Sequence, residues 1–502
     1  MKVNCKFYIL FIFAGTALQS VRAQVNQTFD NFMKEKNQQF QNFINSKQKE
    51  FDEFRRKKNE EFARFMEQGS WEVYDKKAAE KRPKEKDVPP VVYDEKYHQN
   101  KKERQQVIEF VPYENPKPQP QPKPIVPVIE NDESNDYSTF TYYGTKMQAR
   151  WGDLNSFKLG LIDDKTLANA FRKLTDKKYN NLLNDCLLLR EKYALCDWAY
   201  YKMLEILAET VCGKQTNEAV FLQGVLFQQS GYTMRFARDN RTNHLCLLVK
   251  IKGHAFDYKS MEVDGKQFFI FKDTNGQQLS VCKIAYQDEQ DMQMALDRLP
   301  RLEFNLSKIR SINSLSYNIK VTNGVNKNLI GFMQDYPCTY DGKNIMTRWV
   351  NYANTPVSEE VLLQLYPQMK ERLQNVNELM AVNMLLNWVQ TGFEYELDDK
   401  VWGHDRAFFA EETLFYPFSD CEDRAILFSH LVRDLLGLDV VLVYYPGHLS
   451  AAVCFNGNVN GDYLMLGEKK FTIADPCYTR ARVGCTMPGM DNKIAKVILC
   501  QR

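Results

Sequence analysis

Residues 419–437 combine a helix of defined length with a thiol in its first turn. Their sequence is SDCEDRAILFSHLVRDLLG. Ser419 and Glu422 form a capping-box pattern that predicts a helix start at Ser419, and Gly437 is a helix stop signal. Cys421 therefore falls where free backbone N–H groups and the helix dipole stabilise a thiolate. Strand-like runs follow, so this region predicts a helix packed on an antiparallel sheet.

The strand-like runs carry an imidazole and a carboxylate. A Pro-Gly turn separates the run DVVLVYY from His448, which opens HLSAAVCF, and the later run KKFTIAD ends in Asp475. Adjacent antiparallel strands can bring His448 beside Asp475, and packing of the helix start on that sheet would bring Cys421 to the imidazole. Such a set suits acyl transfer, because the imidazole can take the thiol proton while the sulfur attacks a carbonyl.

This region resembles the transglutaminase-like superfamily of papain-like cysteine enzymes, which carries a Cys at a helix start, a His on one strand and an Asp on the next. The matching phrases, all within residues 371–502, are SDCEDRAILFSHLVRDLLGLDVVLV, GHLSAAV and FTIADP. The resemblance implies an α+β papain-like core with Cys421 as nucleophile, His448 as general base and acid, and Asp475 as the group that orients the imidazole. It also implies Trp402 as a second oxyanion donor beside the backbone N–H of Cys421. No His or Cys partners stand at zinc-like spacing, so we expect no metal and no cofactor.

Residues 136–300 repeat the order of helices followed by strands, which predicts a second copy of this domain. The stretch TNEAVFLQGVLFQQSGYTMRFA aligns with the region after Cys421. His244 and Asp273 then take the positions of the histidine and the aspartate, but Gln215 takes the position of the nucleophile. An amide cannot act as a thiolate, so we expect a degenerate scaffold or binding domain. Chance alignment of short apolar patterns is the alternative.

The amino end of the chain has a different organisation. Residues 1–23 combine lysines, an apolar run and small residues at the cleavage positions, which predicts a secretory signal peptide. Over residues 24–67 the pattern Phe-x-x-Phe recurs four times with a period of eleven, which predicts one helix with a nearly straight aromatic stripe. Self-association and packing on the protein's own domain are both open uses of that stripe. Residues 68–135, rich in Lys, Glu and Pro, predict a disordered linker, and residues 301–370 predict connecting strands and a helix.

The charge balance and the distribution of apolar residues exclude further classes of function. With 66 basic and 64 acidic residues the formal charge is +2, so no net field recruits nucleic acid. Past the signal peptide, no run approaches the roughly 18 to 20 apolar residues of a membrane-spanning helix. We expect an exported protein that is either secreted or periplasmic, with association with the cell envelope as an open alternative. We expect it to act on a peptide or protein substrate. Hydrolysis by a peptidase or amidase is favoured over cross-linking because water is abundant outside the cell. The alternative is a non-catalytic interaction protein that uses papain-like domains as binding scaffolds.

Overall fold

The structure is a computed structural model of a mixed α+β protein. It describes residues 6–68, 71–84, 88–99, 105–107, 110–111, 122–125, 128, 136–151, 158–175, 177–286, 288–491 and 494–500, with side chains of the first helix described from residue 34. Two compact units make up the chain, residues 1–64 and residues 65–502.

A long helix, α1 (Lys6–Glu67), carries the phenylalanine repeat, and the predicted helix is confirmed over residues 34–67. We define the phenylalanine stripe by the four described rings of the first unit that are exposed. They are Phe40, Phe43, Phe51 and Phe54, with exposed fractions of 60%, 59%, 42% and 48%. The signal peptide predicted for residues 1–23 lies outside the residues whose side chains are described. In the described part of the chain, no helix has the length and apolar content needed to cross a bilayer.

The linker predicted over residues 68–135 contains regular structure in its described parts, so the prediction of disorder is wrong there. Its elements are β1 (Trp71–Asp75), α2 (Glu95–Gln99), β2 (Gln105–Val107) and β3 (Phe110–Val111). Each of the three strands adds to an edge of one of the two large sheets described below. Composition favoured disorder because the segment buries little apolar surface by itself, whereas strand pairing with a preformed sheet supplies the missing contacts.

The middle region begins with a two-stranded hairpin, which the sequence did not predict, and continues with helices followed by a sheet. Its elements are β4 (Tyr137–Tyr142), β5 (Thr145–Arg150), α3 (Asp164–Leu174), α4 (Lys177–Lys192), α5 (Asp197–Cys212), α6 (Asn217–Gln229), β6 (Met234–Asp239), β7 (Leu245–Val249), β8 (Ile251–Lys252), β9 (His254–Ala255), β10 (Lys259–Val263), β11 (Lys266–Ile270), β12 (Gln278–Cys282) and β13 (Met292–Gln293). The six-stranded sheet has the order β1-β12-β6-β7-β11-β10.

Short strands and helices connect this region to the carboxyl-terminal one. They are β14 (Arg310–Asn313), β15 (Lys320–Asn323), α7 (Lys327–Gln334), β16 (Thr339–Tyr340), a 3-10 helix (Ile345–Thr347), α8 (Arg348–Asn354) and α9 (Glu359–Arg372). The last region comprises α10 (Glu378–Gly392), β17 (Glu394–Tyr395), α11 (Asp398–Val401), α12 (Ala410–Phe415), β18 (Phe418–Ser419), α13 (Cys421–Leu436), β19 (Asp439–Tyr445), β20 (His448–Cys454), β21 (Tyr463–Leu466), β22 (Lys469–Ala474) and β23 (Lys496–Leu499). Its seven-stranded sheet has the order β2-β21-β22-β20-β19-β23-β3.

The two sheets share one topology. A helix precedes five antiparallel strands in both, α6 before the order β12-β6-β7-β11-β10 and α13 before the order β23-β19-β20-β22-β21. Both sheets curl into half-barrels, and each encloses its own apolar core. Leu248, Phe268 and Val281 belong to the first core, whereas Val443 and Val497 belong to the second. Burial of these side chains drives each sheet to close around them.

Candidate active site

Cys421 is the first residue of α13, and its side chain is buried. Asp420 is the N-cap and forms a capping box with Asp423, whose carboxylate accepts the Asp420 N–H at 3.2 Å. The capping pair predicted from Ser419 and Glu422 is therefore wrong by one residue, because the carboxylate of Asp423, and not that of Glu422, accepts the N–H of the residue before the helix. The thiol nevertheless occupies the predicted first turn.

The structure brings His448 and Asp475 together at one end of the carboxyl-terminal sheet. His448 opens β20, and Asp475 directly follows the neighbouring strand β22. His448 Nε2 and Asp475 Oδ2 are 2.9 Å apart, and both side chains are buried. The other carboxylate oxygen accepts the backbone N–H groups of Cys477 and Tyr478 at 2.9 and 3.2 Å. The turn thus holds the carboxylate, and the carboxylate holds the imidazole ring.

Cys421 and His448 line one small pocket of about 30 Å³. Nδ1 of His448 is buried and has no hydrogen-bond partner among the described residues. Because Asp475 accepts a proton from Nε2, Nδ1 of the neutral ring is the nitrogen that can accept one. A buried water needs roughly 10–15 Å³ of such space, so the pocket has room for about two waters.

The Cys421 thiol donates its proton away from the imidazole in this arrangement. Its Sγ lies 3.2 Å from Oε2 of Glu422, which accepts the hydrogen bond. Burial, followed by the charges of Glu422 and Asp420, raises the pKa of the thiol well above its ordinary value. The backbone N–H of Leu449, next to His448, opposes that rise because it donates to the sulfur. The sulfur is therefore close to the start of β20 but is a protonated thiol at rest.

Carboxylates gather on one side of the pocket. Oxygens of Asp398, Asp405 and Glu422 lie within 4.8 Å of one another. Burial, followed by Glu422, raises the pKa of Asp405 to about 8, while Arg348 and Arg82 oppose the shift. Of the described residues, two groups could hold a cation. One is these three carboxylates, and the other is Asp420, Cys421 and Glu422. The two arginines already supply part of that positive charge.

Trp402 lies in an aromatic cluster, and Trp349 is the indole that lines the pocket. The ring of Trp402 contacts Phe408 and Tyr416 at centroid distances of 6.1 and 5.3 Å, and the Arg406 guanidinium stacks 4.6 Å from it. Its Nε1 is buried without a hydrogen-bond partner in the described part of the chain. The sequence offered no sign of Trp349, which belongs to α8 and is far from the motif.

Gln390 is a second contributor that sequence reasoning missed. It is buried on α10, and its Nε2 donates to the carbonyl oxygens of Asp475, Tyr478 and Ala481 at 2.9, 2.8 and 3.1 Å. These bonds brace the turn that orients the Asp475 carboxylate. Sequence gives no signal for this role, because a glutamine on an apolar helix reaches the turn only through the tertiary fold.

The middle region has the same strand order but not the predicted side-chain arrangement. Gln215 is exposed with a φ of 60° just before the N-cap of α6, and His244 is exposed just before β7. Asp273 forms ion pairs with Lys76 and Lys259 at 2.5 and 2.8 Å. Across the described residues, no hydrogen bond or ion pair joins His244 to Asp273. The Asp273 carboxylate, which the sequence predicted to pair with His244, is thus paired with the two lysines instead.

Comparison of the chain with protein-family models, with curated proteins and with solved structures finds no match. The resemblance to the transglutaminase-like superfamily therefore depends on the residues of this chain alone. Those residues are a helix-start thiol, an imidazole with one free nitrogen, and a carboxylate held by its own turn.

Proposed function

We propose that the chain is an exported cysteine-dependent acyl-transfer enzyme of the transglutaminase-like type, which hydrolyses amide bonds in peptides or proteins through a thioester. One observation carries the proposal. His448 lines the same pocket as the Cys421 thiol, its Nδ1 is unpartnered among the described residues, and Asp475 holds its Nε2. Buried polar atoms that serve structure alone are almost always hydrogen-bonded, so an unpartnered Nδ1 on a histidine that shares a pocket with a thiol supports the role of proton acceptor.

Proton transfer and attack occur together in the proposed reaction. Nδ1 of His448 takes the thiol proton as Sγ of Cys421 bonds to the carbonyl carbon, and the oxyanion accepts the helix-start N–H. The imidazolium then gives its proton to the leaving amine, the C–N bond breaks, and a thioester remains. Water attacks the thioester with His448 as base, which releases the acid and restores the thiol. An amine in the place of water would instead form a cross-link.

The raised pKa of the thiol favours this route over a standing thiolate. A thiolate is stabilised by nearby cations, whereas Cys421 is buried beside Glu422. The thiol therefore has to turn from Glu422 towards Nδ1 of His448 before it attacks. Asp475 keeps the imidazole oriented for that transfer.

Trapping of the acyl-enzyme tests the proposal. The full chain is incubated with 4-nitrophenyl acetate, and mass spectrometry locates the acetyl groups. We expect a hydroxylamine-sensitive acetyl group on Cys421, strongly reduced in His448→Ala, and none at this position in Cys421→Ala. Release as an amide when a primary amine is added would favour cross-linking over hydrolysis. Acetylation of surface lysines with none on Cys421 would contradict the proposal.

A binding scaffold is the second candidate function. It is favoured by the thiol proton directed at Glu422 and by the ion pairs that occupy Asp273 of the middle copy. A scaffold would give no thioester on Cys421, and Cys421→Ala would retain every binding property of the wild type. The trapping experiment therefore separates the two candidates.

A further inference from the structure

A cavity of about 520 Å³ lies at the end of the carboxyl-terminal half-barrel that is remote from the thiol and the imidazole. We call it the distal cavity and define it by six of its lining residues, Asp439, Val441, Leu466, Lys469, Phe471 and Leu499. Asp439 opens β19, whose last residue pairs with His448, and Lys469 opens β22, which Asp475 follows. Small-molecule sites in proteins measure roughly 300–1,000 Å³, so the distal cavity has the volume of such a site.

The inner wall of the distal cavity is apolar. Val441 and Phe471 are buried members of the core of the half-barrel. Leu466 and Leu499 are half-buried and pack against that core at the last residues of β21 and β23. Packed protein interiors contain few voids larger than a water molecule. These four side chains therefore present apolar surface that an apolar ligand can cover.

One ion pair supplies charged groups to the same cavity. Nζ of Lys469 lies 2.9 Å from Oδ2 of Asp439, and the two side chains are 63% and 30% exposed. A ligand carboxylate placed there would meet the like charge of Asp439, and a ligand ammonium would meet that of Lys469. An uncharged hydroxyl group can accept a hydrogen bond from the ammonium and donate one to the carboxylate. The ion pair therefore favours a neutral polar head.

We propose that the distal cavity binds an uncharged amphipathic molecule, an aliphatic chain that ends in a hydroxyl group. The chain covers Val441, Phe471 and the two leucines, and the hydroxyl group bonds to the Lys469–Asp439 pair. Fatty alcohols and monoacylglycerols share this chemistry. The distal cavity has no lining residue in common with the pocket of the thiol, so the proposal does not depend on the proposed function.

Calorimetric titration of the full chain with three matched probes tests the choice of head group. The probes are 1-decanol, decanoate and decylamine, which share one chain length and differ in charge. We expect one 1-decanol per chain, bound about tenfold more tightly than either charged probe, because contact between like charges disfavours the wrong partner. Titration with 1-monodecanoylglycerol then identifies the source. Tighter binding than that of 1-decanol indicates a monoacylglycerol, and weaker binding indicates a free fatty alcohol.

Removing one charge of the ion pair should change which probe is preferred. In Asp439→Asn we expect decanoate to bind about tenfold more tightly than decylamine, and in Lys469→Gln the reverse, because one charge remains without its counter-ion. Lys470→Gln is the matched control on the same strand, since its ammonium bonds to Asn458. The control should keep the preference of the wild type.

A variant that fills the distal cavity tests the place of binding. Leu466→Trp puts a larger ring at the end of β21 and should abolish binding of 1-decanol, while circular dichroism checks the fold. Unchanged binding in the folded variant would overturn the proposal, as would equal affinities for the three probes in wild type. If Leu466→Trp loses its fold, the two charge variants decide, because they alter partly exposed side chains. A preference that neither of them changes refutes the site.

Discussion

At the scale of single residues, the Asp475 carboxylate determines which nitrogen of His448 can take a proton. One oxygen accepts two backbone N–H groups of its own turn, and the other receives the Nε2 proton. Both oxygens are therefore committed to donors, and Nδ1 is the nitrogen of the neutral ring that can accept a proton. Gln390 holds the same turn in place, because its Nε2 donates hydrogen bonds to three backbone carbonyl oxygens.

We predict that Asp475→Asn slows turnover more than a loss of charge alone would. The new amide keeps its oxygen on the turn N–H groups and presents its NH₂ to Nε2, which forces the imidazole proton onto Nδ1. His448 then cannot accept the thiol proton, and we expect kcat to fall by roughly 100-fold or more with little change in KM. Steady-state hydrolysis of an ester probe measures the loss. A kcat within twofold of wild type would show that the carboxylate does not set the tautomer.

Glu422→Gln is predicted to lower the pKa of the Cys421 thiol. The Glu422 charge stabilises the neutral thiol and raises its pKa, so removal of that charge shifts the pKa downwards. Alkylation of Cys421, followed against pH, should then reach its midpoint at a lower pH than in wild type. Asp399→Asn is the control, because it removes an exposed carboxylate from the pocket rim. A midpoint that stays constant or rises in Glu422→Gln would contradict the assigned role of this carboxylate.

The sequence indicated the thiol, the imidazole and the carboxylate because each lies at the end of a strongly patterned element. It did not indicate Gln390 or Trp349, which approach the site from helices far away in the chain. Trp402 was chosen through the resemblance, and its indole lies among aromatic rings instead. Roles that depend on local position were thus accessible to sequence reasoning, and roles that depend on helix packing were not.

At the scale of elements, α13 shows what local signals determine. Gly437 ends the helix in the left-handed conformation, with a φ of 69°, as the stop signal predicts. The start moves by one residue, because the Asp423 carboxylate accepts the Asp420 N–H and makes Asp420 the N-cap. The linker could not be predicted in the same way, since β1 and residues 88–93 gain order from partners hundreds of residues away.

The phenylalanine stripe is predicted to drive self-association through α1. Four exposed rings on one helix form an apolar strip that water does not favour, and an eleven-residue repeat suits pairing of nearly straight helices. Sedimentation of the full chain should show association that increases with concentration. Replacing Phe40, Phe43, Phe51 and Phe54 with Ser should give a monomer, whereas Gln41→Ser on the same helix should not. A monomeric wild type at every concentration would refute self-association.

At the scale of the whole molecule, two half-barrels of the same strand order have different side chains at corresponding ends. The carboxyl-terminal half-barrel pairs His448 with Asp475, whereas Lys76 and Lys259 pair with Asp273 in the middle half-barrel. Shared topology follows from the shared helix and strand pattern, which the sequence shows. The difference in pairing follows from Lys76, which the linker delivers next to β1 and which no pattern within residues 136–300 could reveal.

The most direct test of an activated Cys421 is a map of cysteine alkylation against pH in wild type and in His448→Ala. Iodoacetamide is applied to the full chain, and mass spectrometry quantifies Cys421 separately from Cys212, the half-buried free thiol at the end of α5. We predict that the loss of His448 slows Cys421 near neutral pH by about 100-fold and leaves Cys212 unchanged, because only the first thiol transfers its proton to this imidazole. The same pH profile for Cys421 with and without His448 would contradict the account.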